Sequence, residues 1–540
     1  MNKDWYKEAI VYQIYPKSFY DSNNDGIGDI LGIVSKLDYI KELGVTQIWL
    51  SPIYVSPMED NGYDVEDYYN ISPLYGTLED FDKLISEAKK RDIGILMDLV
   101  FNHTSTKHIW FQNAINDPSS KYHDYYFFRK NKDDKRSTFS GSAWEYVEKN
   151  DEYYYHAFGV NQADLNWKNQ DVRDEIVNIM EFYLKRGVSG FRLDAIELIG
   201  KDLDNNIFAH GDSLHSYLRE VMTKVRTKYP YMMTVGEGWP TPEIARLYAS
   251  EERNELNMIF QFETPTLTWQ DGPLGKFSKV PFTLEKLKES FGKWQKLTTE
   301  VWCPVFWENH DLTRSINRFG SLDYKEDSAK ALATLLLISK GTPFIYQGEE
   351  LGLTDVCFKK LSDIKDIEAK MIYEELVLTK KTMDEDSFLK MLNVGVRDQG
   401  RLLMAWDDTK NGGFSSSNDT WIMPYPNYKT ENVLVEKSVK SSVLNFYKKL
   451  ISLRKKQLRE ILRYGIYQEL PYKNLFAYKI ESNTEIAEVL INFSDGYVKE
   501  NINLLNKKVV VKSKNKLLKA NYQFDPYEVI ILQEVKNEKN

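Results

Sequence analysis

The sequence predicts an α/β protein built on a (β/α)8 barrel, and two observations support this fold class. Short apolar runs alternate with amphipathic stretches along most of the chain, which is the pattern of βα units around a parallel sheet. There are eight such runs, and eight βα units close a barrel. The chain of 540 residues is long enough for a barrel of this type with additional domains.

The predicted strands and helices follow each other in order. The strands begin at Ala9, Val45, Ile93, Val188, Met232, Asn257, Cys303 and Thr342. Residues 78–91 and 171–185 keep apolar side chains on one face at helical spacing, which indicates amphipathic helices. A last helix is predicted near residues 441–455, and the helical pattern ends at about residue 457.

Two segments depart from this alternation and predict further domains. Residues 104–163 are rich in Tyr, Asn and Asp, and a loop of that length inside a compact barrel is usually functional. Toward the end of the chain, strand-like runs such as IAEVLINFS and YEVIILQEV replace the helices. We therefore predict the barrel at residues 1–103 and 164–456, an inserted domain after the third strand at 104–163, and an antiparallel C-terminal β-sandwich at 457–540.

The composition excludes several classes of protein. The chain has 80 acidic and 71 basic residues, a net charge of −9, which argues against a dedicated nucleic-acid-binding protein. Its two cysteines, Cys303 and Cys357, provide neither a disulfide framework nor a cysteine metal site. No signal-peptide pattern and no membrane-spanning apolar run is visible. We expect a cytoplasmic monomer or homodimer that binds neither nucleic acid nor membrane.

Polar side chains gather where several predicted strands end, and catalytic groups of such barrels lie at that rim. They are Asp98, Asn102, His103, Arg192, Asp194, Glu237, His310 and Asp311. Carboxylates facing one cleft suit glycosidic bond cleavage, which needs an acid for the departing oxygen and a carboxylate on the other side of the sugar. A structural ion network explains one such strand end as well, but four strand ends together favour catalysis. No glycine-rich phosphate loop or HExxH zinc motif accompanies them, so no organic cofactor is expected.

Five ordered motifs carry a resemblance to a known family. DLVFNH, GFRLDAIE, GEGW and ENHDLTR resemble the four signature regions of the α-amylase family, glycoside hydrolase family 13, and QADLNW resembles its fifth region. The segments VYQIYPKSF, SPMEDNGYDV and FSGSAWEY are similar to the oligo-1,6-glucosidase and α-glucosidase branch of that family.

The resemblance implies the roles of the three carboxylates. Asp194 corresponds to the nucleophile that forms a covalent glycosyl-enzyme, and Arg192, on the same face of the strand, is expected to hold it ionised. Glu237 corresponds to the general acid and base, which needs a raised pKa. Asp311 corresponds to the carboxylate that binds sugar hydroxyls and favours ring distortion. Retention of configuration follows if Asp194 and Glu237 lie about 5–5.5 Å apart.

The resemblance also implies the walls of a sugar pocket. His103 and His310 correspond to the two histidines that hydrogen-bond the terminal sugar. Asp60 and Arg397 correspond to the pair that closes the non-reducing end, so one terminal glucose is removed per event. Tyr63 corresponds to a stacking platform, although ordinary core packing is an alternative in a chain with 35 tyrosines.

The loop DSNNDGIGD, residues 21–29, predicts a structural cation site. Oxygen-bearing side chains at alternate positions suit Ca²⁺ or Mg²⁺. By resemblance the ligands are Asp21, Asn23, Asp25, Asp29 and the carbonyl of Ile27. The ion would stabilise the loop without taking part in the chemistry. An Asx-rich turn without an ion is the alternative.

These observations predict an exo-acting, retaining α-glucosidase that releases terminal glucose from short α-glucosides by double displacement. Ala195 follows the nucleophile where α-1,6-specific relatives have Val, which favours α-1,4 bonds. Leu312 and Thr313, which depart from the branch pattern, are expected around the subsite that binds the leaving group, or aglycone. An oligo-1,6-glucosidase, a trehalose-6-phosphate hydrolase and a sucrose-cleaving or sucrose-isomerising enzyme are alternatives. A non-catalytic binding relative is disfavoured, because all three carboxylates are present.

Overall fold

A computed structural model describes residues 3–536 of the chain. Residues 1–2 of the predicted barrel and residues 537–540 of the predicted C-terminal domain lie outside this range. Eight parallel strands form the central sheet, and each lies within one of the eight predicted strand regions. They are β1 (Val11–Ile14), β2 (Gln47–Leu50), β3 (Gly94–Leu99), β4 (Gly190–Leu193), β5 (Met233–Gly236), β6 (Met258–Ile259), β7 (Pro304–Val305) and β8 (Thr342–Tyr346).

The sheet order confirms the predicted barrel. Each of the strands β1 to β5 pairs with the next strand in chain order, and β8 pairs with both β7 and β1. Strands β6 and β7, which stand at the two ends of the hydrogen-bonded strand order, have two residues each. Apolar side chains from the strands fill the interior, among them Val11, Trp49, Leu96, Met233 and Phe344. The barrel is therefore a packed core with a functional rim.

Helices surround the barrel, and several of them are capped at their ends. They are Ile30–Ser35, Leu37–Leu43, Leu78–Lys89, Gln170–Arg186, Leu214–Lys228, Pro242–Ala249, Leu284–Leu297, Lys325–Leu337 and Val443–Lys455. Thr77 and Asp80 form a capping box at the start of one helix, and Gly187 ends another in the left-handed conformation. No helix within residues 3–536 is both long and apolar enough to cross a membrane.

The segment between β3 and the next barrel helix folds as an inserted domain. It contains the helix Ile109–Asn116 and a three-stranded antiparallel sheet of Phe128–Arg129, Trp144–Val147 and Glu152–Tyr155. A two-stranded ladder joins His103–Ser105 to Gln162–Asp164 at its base. Because this ladder begins next to β3, it holds the inserted domain beside the rim of the barrel.

The C-terminal domain consists of antiparallel strands. Five of them, Ile466–Glu469, Phe476–Glu481, Glu485–Ile491, Val529–Val535 and Lys508–Lys512, form one sheet in this order. Val498–Asn501 pairs with Asn521–Phe524 in a second sheet, and apolar side chains from both sheets form one cluster.

One additional helix, Arg459–Tyr464, lies beyond the point where the sequence pattern predicted that helices end. Its Ile461 and Leu462 are buried, and Arg459 and Arg463 form ion pairs with Glu8. A helix of two turns is too short for a recognisable period, so contacts with the barrel rather than the local pattern stabilise it.

Candidate active site

The carboxyl ends of four barrel strands bring the predicted polar residues together at one rim. Arg192 of β4 lies opposite Asp98 of β3 in the parallel register. Asp194 and Glu237 directly follow β4 and β5, and Asp311 follows β7. Because all these strands run in one direction, their ends meet on the same side of the barrel.

Arg192 is the centre of this rim, because its guanidinium contacts three carboxylates. Nη1 lies 2.8 Å from Oδ1 of Asp98 and 2.8 Å from Oδ1 of Asp194, and Nη2 lies 2.7 Å from Oε1 of Glu237. The arginine side chain is 1% exposed. Arg192 therefore holds the carboxyl groups of Asp194 and Glu237 beside each other at the rim.

Burial controls the protonation of the two carboxyl groups beside Arg192. Burial raises the pKa of Asp194 well above its ordinary value, and the contact with Arg192 only partly offsets it. Burial likewise raises the pKa of Glu237, against the opposing effect of Arg192. Arg192 alone beside Asp194 would be expected to keep that carboxyl group ionised. Instead, one cation is shared among three carboxylates, so the pair favours binding a proton.

Asp311 lies in a different electrostatic environment. Its Oδ1 accepts hydrogen bonds from Arg401 at 2.8 Å and Arg397 at 3.4 Å, and its Oδ2 is 3.3 Å from Nε2 of His310. Burial opposes ionisation, but these neighbours outweigh it and hold the pKa of Asp311 below its ordinary value. Asp311 is therefore the carboxylate of the site that stays ionised most readily.

His310 is buried and neutral. Burial lowers its pKa to about 3. Nδ1 accepts from the side-chain amide of Gln13 at 2.9 Å, which leaves the proton on Nε2. Nε2 lies 3.3 Å from Oδ2 of Asp311 but makes no hydrogen bond to it or to any other described residue, so it is available as a donor. The ring stacks on Tyr63 with an interplanar angle of 2° and a centroid distance of 5.1 Å.

His103 differs from His310, because both its ring nitrogens have protein partners. Nε2 donates to the carbonyl of Tyr63 at 2.8 Å, and Nδ1 accepts from the side chain of Asn102 at 3.2 Å. Lys201, buried beside them, donates to Asn102 at 2.7 Å. The predicted hydrogen bond from His103 to a sugar stays a prediction.

The ion pair expected at the closed end of the pocket is present. Nη2 of Arg397 lies 3.1 Å from Oδ1 of Asp60, and both side chains are buried. Asp366, a fully buried residue that the sequence analysis missed, also binds Arg397, with Nη2 2.5 Å from its Oδ1. Gln162 donates to the other oxygen of Asp60 at 3.1 Å.

A cavity of about 200 Å³ lies between these groups. Six of the nine predicted catalytic and substrate-binding residues line it, namely Asp60, Tyr63, His103, Asp194, Glu237 and Asp311. The other three, Arg192, His310 and Arg397, lie behind the lining carboxylates and contact them. The structure therefore brings all nine predicted residues to one place.

The cavity lining also includes residues that the sequence analysis did not single out. Phe139 lies over the guanidinium of Arg397, with a centroid distance of 4.9 Å. Trp239 is 51% exposed and stacks on Phe262 at 4.8 Å. Glu197, in the loop that follows the nucleophile, also lines the cavity. The motifs FSGSAWEY and GEGW contain the two aromatic residues, so their presence was visible but their position was not.

The prediction that Leu312 and Thr313 border the aglycone subsite was wrong. Both side chains are buried and neither lines the cavity. Leu312 packs with Phe260 and Phe306 in the barrel interior. Ala195, by contrast, does line the cavity, and its backbone N–H donates to Oε2 of Glu237 at 3.1 Å.

The loop predicted to bind a cation is closed by its own hydrogen bonds. Asp21 accepts three backbone N–H donors of the loop and the hydroxyl of Ser415. Asp29 caps the following helix, and Asn23 donates to Asp25. Nowhere in residues 3–536 do three or more His, Cys, Asp or Glu side chains form a group that could hold a metal ion. The predicted ligands do not form a ready-made cage, and the cation site stays a prediction.

Comparisons with known proteins agree with the motifs and the site. Residues 13–465 match the family model described as alpha amylase, catalytic domain. The chain is 44% identical to the oligo-1,6-glucosidase of Bacillus cereus over 518 residues, 92% of each protein. It is 46% identical to the glucan 1,6-alpha-glucosidase of Streptococcus pneumoniae over 459 residues, 84% of this chain and 85% of that protein. The crystal structure of the trehalose-6-phosphate hydrolase of Bacillus licheniformis superposes with a TM-score of 0.91 at 37% identity, covering 98% of this chain and 100% of that one.

The barrel and its carboxylate-lined rim define a glycoside hydrolase. With the family model matching most of its length, the chain belongs to the α-amylase family, within the oligo-1,6-glucosidase branch.

Proposed function

We propose that the protein is an exo-acting, retaining α-glucosidase that releases terminal glucose from short α-glucosides. The observation that carries this proposal is the bridge from Arg192 to both Asp194 and Glu237, at 2.8 and 2.7 Å. It holds the proposed nucleophile and the proposed acid in the lining of one small cavity. Double displacement needs these two groups at short separation.

In the first step, Asp194 attacks the anomeric carbon while Glu237 donates its proton to the glycosidic oxygen. The bond to the aglycone breaks, and a covalent glucosyl-enzyme forms on Asp194. In the second step, Glu237 accepts a proton from water, whose oxygen attacks the anomeric carbon and releases Asp194. Burial favours a proton on Asp194 or on Glu237. Only the form with the proton on Glu237 and an ionised Asp194 can react in this way. Asp311 remains ionised and accepts hydrogen bonds from sugar hydroxyls.

The closed end of the cavity supports exo-action. Asp60 and Arg397 form a buried pair, and Asp366 fixes the arginine from behind. Phe139 covers the guanidinium. A chain that continued beyond the terminal glucose would have to displace this pair, so one glucose is removed per event.

Two observations favour different linkages. The relatives at 44% and 46% identity are named for α-1,6 activity, whereas Ala195 in the cavity wall favours α-1,4 bonds. Similarity over most of the chain reflects the whole pocket, while Ala195 is one residue. We therefore take α-1,6-linked gluco-oligosaccharides as the first candidate substrate and α-1,4-linked ones as the second.

Glucose release from isomaltose and maltose tests the proposal. We expect turnover of at least one disaccharide, with α-glucose as the first product by NMR, and loss of at least about 10³-fold in kcat/KM for Asp194→Asn. A kcat/KM ratio of isomaltose to maltose above one supports the first candidate, and a ratio below one supports the second. β-Glucose as first product, or an active Asp194→Asn variant, would contradict the mechanism.

We further propose an intracellular location and a structural cation in the loop of residues 21–29. Two unpaired thiols, on Cys303 and Cys357, support the location, because thiols stay reduced inside cells. Alternating oxygen side chains support the cation. The protein is proposed to act as a monomer or homodimer.

A further inference from the structure

We propose that the site selects α-glucosides with an uncharged aglycone and rejects phosphorylated ones, and that Glu197 sets this preference. The inference deepens the proposed α-glucosidase function and rests on it. It concerns the outer part of the cavity, which the aglycone occupies while the terminal glucose fills the inner part.

Exposure distinguishes the two ends of the cavity. Asp60 and Tyr63 at the inner end are only 4% and 6% exposed. Among the other lining residues, Trp239 is 51% exposed and Thr138 is also exposed. Glu197 is a partly exposed member of the lining, within the loop that follows the nucleophile. The aglycone therefore passes a wall that carries a carboxylate.

Glu197 is held in place by the loop of the proposed acid. Oε2 accepts the backbone N–H of Trp239 at 2.6 Å and lies 3.2 Å from Nε2 of His210. Next to it, the N–H of Ile196 donates to the carbonyl of Glu237 at 3.0 Å. Across the described chain, Oε1 of Glu197 receives no hydrogen bond. The carboxylate thus has a fixed position and one oxygen left for a hydroxyl donor.

No lysine or arginine of the described chain lines this cavity. The arginines behind it are occupied: Arg192 contacts three carboxylates, and Arg401 binds Asp311. A phosphate needs paired, charge-assisted donors, which an arginine or lysine cluster supplies. The cavity offers an acceptor where a phosphorylated aglycone needs donors.

The neighbouring groove beyond Phe139 does not supply the missing cations. It is lined by Arg136 and Lys380, but both form ion pairs with Glu375, at 2.6 and 2.5 Å. An anionic aglycone that reached this groove would have to displace Glu375 from both partners. A neutral sugar, in contrast, can donate a hydroxyl to Glu197 and stack on Trp239.

Two matched substrate pairs test the proposal: trehalose with trehalose 6-phosphate, and a neutral aryl α-glucoside with its ring-sulfonated counterpart. Like-charge contact in a partly buried site is expected to lower kcat/KM for the anionic member by roughly 100-fold. Glu197→Gln keeps an acceptor for Trp239 and removes the charge, so the neutral-to-anionic ratio should fall by roughly 10-fold. Added salt should lower the wild-type ratio and have less effect on the variant.

The matched control is Glu252→Gln, which removes the same charge from a residue outside the cavity and should leave the ratio unchanged. Equal turnover of neutral and anionic substrates by the wild type would overturn the proposal. A Glu197→Gln variant that loses both activities in proportion would show that Glu197 acts only structurally and would overturn its assigned role. Absence of turnover with every α-glucoside tested would instead reject the α-glucosidase function itself.

Discussion

Nη1 of Arg192 lies 2.8 Å from Oδ1 of Asp194, and the same nitrogen lies equally close to Asp98. The other end of the guanidinium reaches Glu237. One positive charge therefore serves three buried carboxyl groups, and burial raises the pKa of each of them. The site is stable only while this single cation stays in place, because an unpaired buried carboxylate costs several kcal/mol.

Replacing Arg192 should destabilise the protein more at neutral than at acidic pH. In Arg192→Met the carboxyl groups lose their cation, and their folded-state pKa values rise further above the unfolded values. Groups with raised folded pKa values bind protons more tightly in the folded state, so stability is lost as pH rises through those values. We expect a loss of about 3–5 kcal/mol in the free energy of unfolding at neutral pH, partly restored in mild acid. Denaturant unfolding across this pH range measures it.

Arg186→Met is the matched control, because Arg186 forms an ion pair with Asp82 on the surface. Such pairs contribute within about 1 kcal/mol. An Arg192→Met variant whose deficit is the same at every pH would contradict the electrostatic explanation.

The pH dependence of kcat/KM should reflect Glu237 and not His310. Burial raises the pKa of Glu237, so its proton, and with it the activity, should persist to higher pH and be lost as pH rises through that value. Burial lowers the pKa of His310 to about 3, so the ring stays neutral throughout the assay range. His310→Gln replaces the ring donor by a flexible amide that no longer stacks on Tyr63, so kcat/KM should fall by roughly 10- to 100-fold, with both limbs of the pH profile unmoved.

A shift of either limb in His310→Gln would show that this histidine titrates during catalysis. His123→Gln is the control. His123 lies in the inserted domain, 2.9 Å from Glu152, and does not line the cavity, so its replacement should leave the profile and kcat/KM unchanged.

The strand ends could be predicted from the sequence, because a parallel sheet leaves little freedom. Once β3, β4, β5 and β7 are recognised, barrel closure places Asp98, Asp194, Glu237 and Asp311 on one rim. Departure from the branch pattern was a poorer guide at Leu312, which was expected near the aglycone for that reason. Its side chain packs into the barrel interior instead.

The parts that could not be predicted lie in irregular segments. Asp366 precedes a short helix in a long polar stretch, and nothing in its neighbourhood marks it as the buried partner of Arg397. Glu197 belongs to a recognised motif, yet its contact with the N–H of Trp239 depends on how two loops pack. Neither arrangement follows from a periodic pattern, because loop geometry is set by tertiary contacts.

Opening the closed end of the pocket should reduce exo-activity. Asp60→Ala removes one partner of Arg397 and leaves space beyond the terminal glucose. We expect kcat/KM on disaccharides to fall by about 100-fold, because the sugar is no longer held in register with Asp194. Internal cuts should appear in an end-labelled tetrasaccharide. Product analysis by chromatography measures both effects.

The matched control is Asp82→Ala, which breaks the surface pair with Arg186 and should change neither rate nor products. If Asp60→Ala kept full activity and released only terminal glucose, the Asp60–Arg397 pair would not close the pocket, and another wall would have to be responsible for exo-action.

Removal of divalent cations should lower thermal stability if the loop of residues 21–29 binds an ion. A ligand that binds only the folded state stabilises it, so chelation should reduce Tm by a few degrees and Ca²⁺ should restore it. Asp25→Ala should abolish this response, since Asp25 is exposed and its carboxylate contacts only its own loop. Asp134→Ala, at another exposed acidic residue, should keep the response.

Calorimetry with and without chelator measures all three proteins, and kcat should be unaffected because the loop residues do not line the cavity. A wild-type Tm that ignores both chelator and Ca²⁺ would show that the hydrogen bonds of Asp21 and Asp29 hold the loop without an ion.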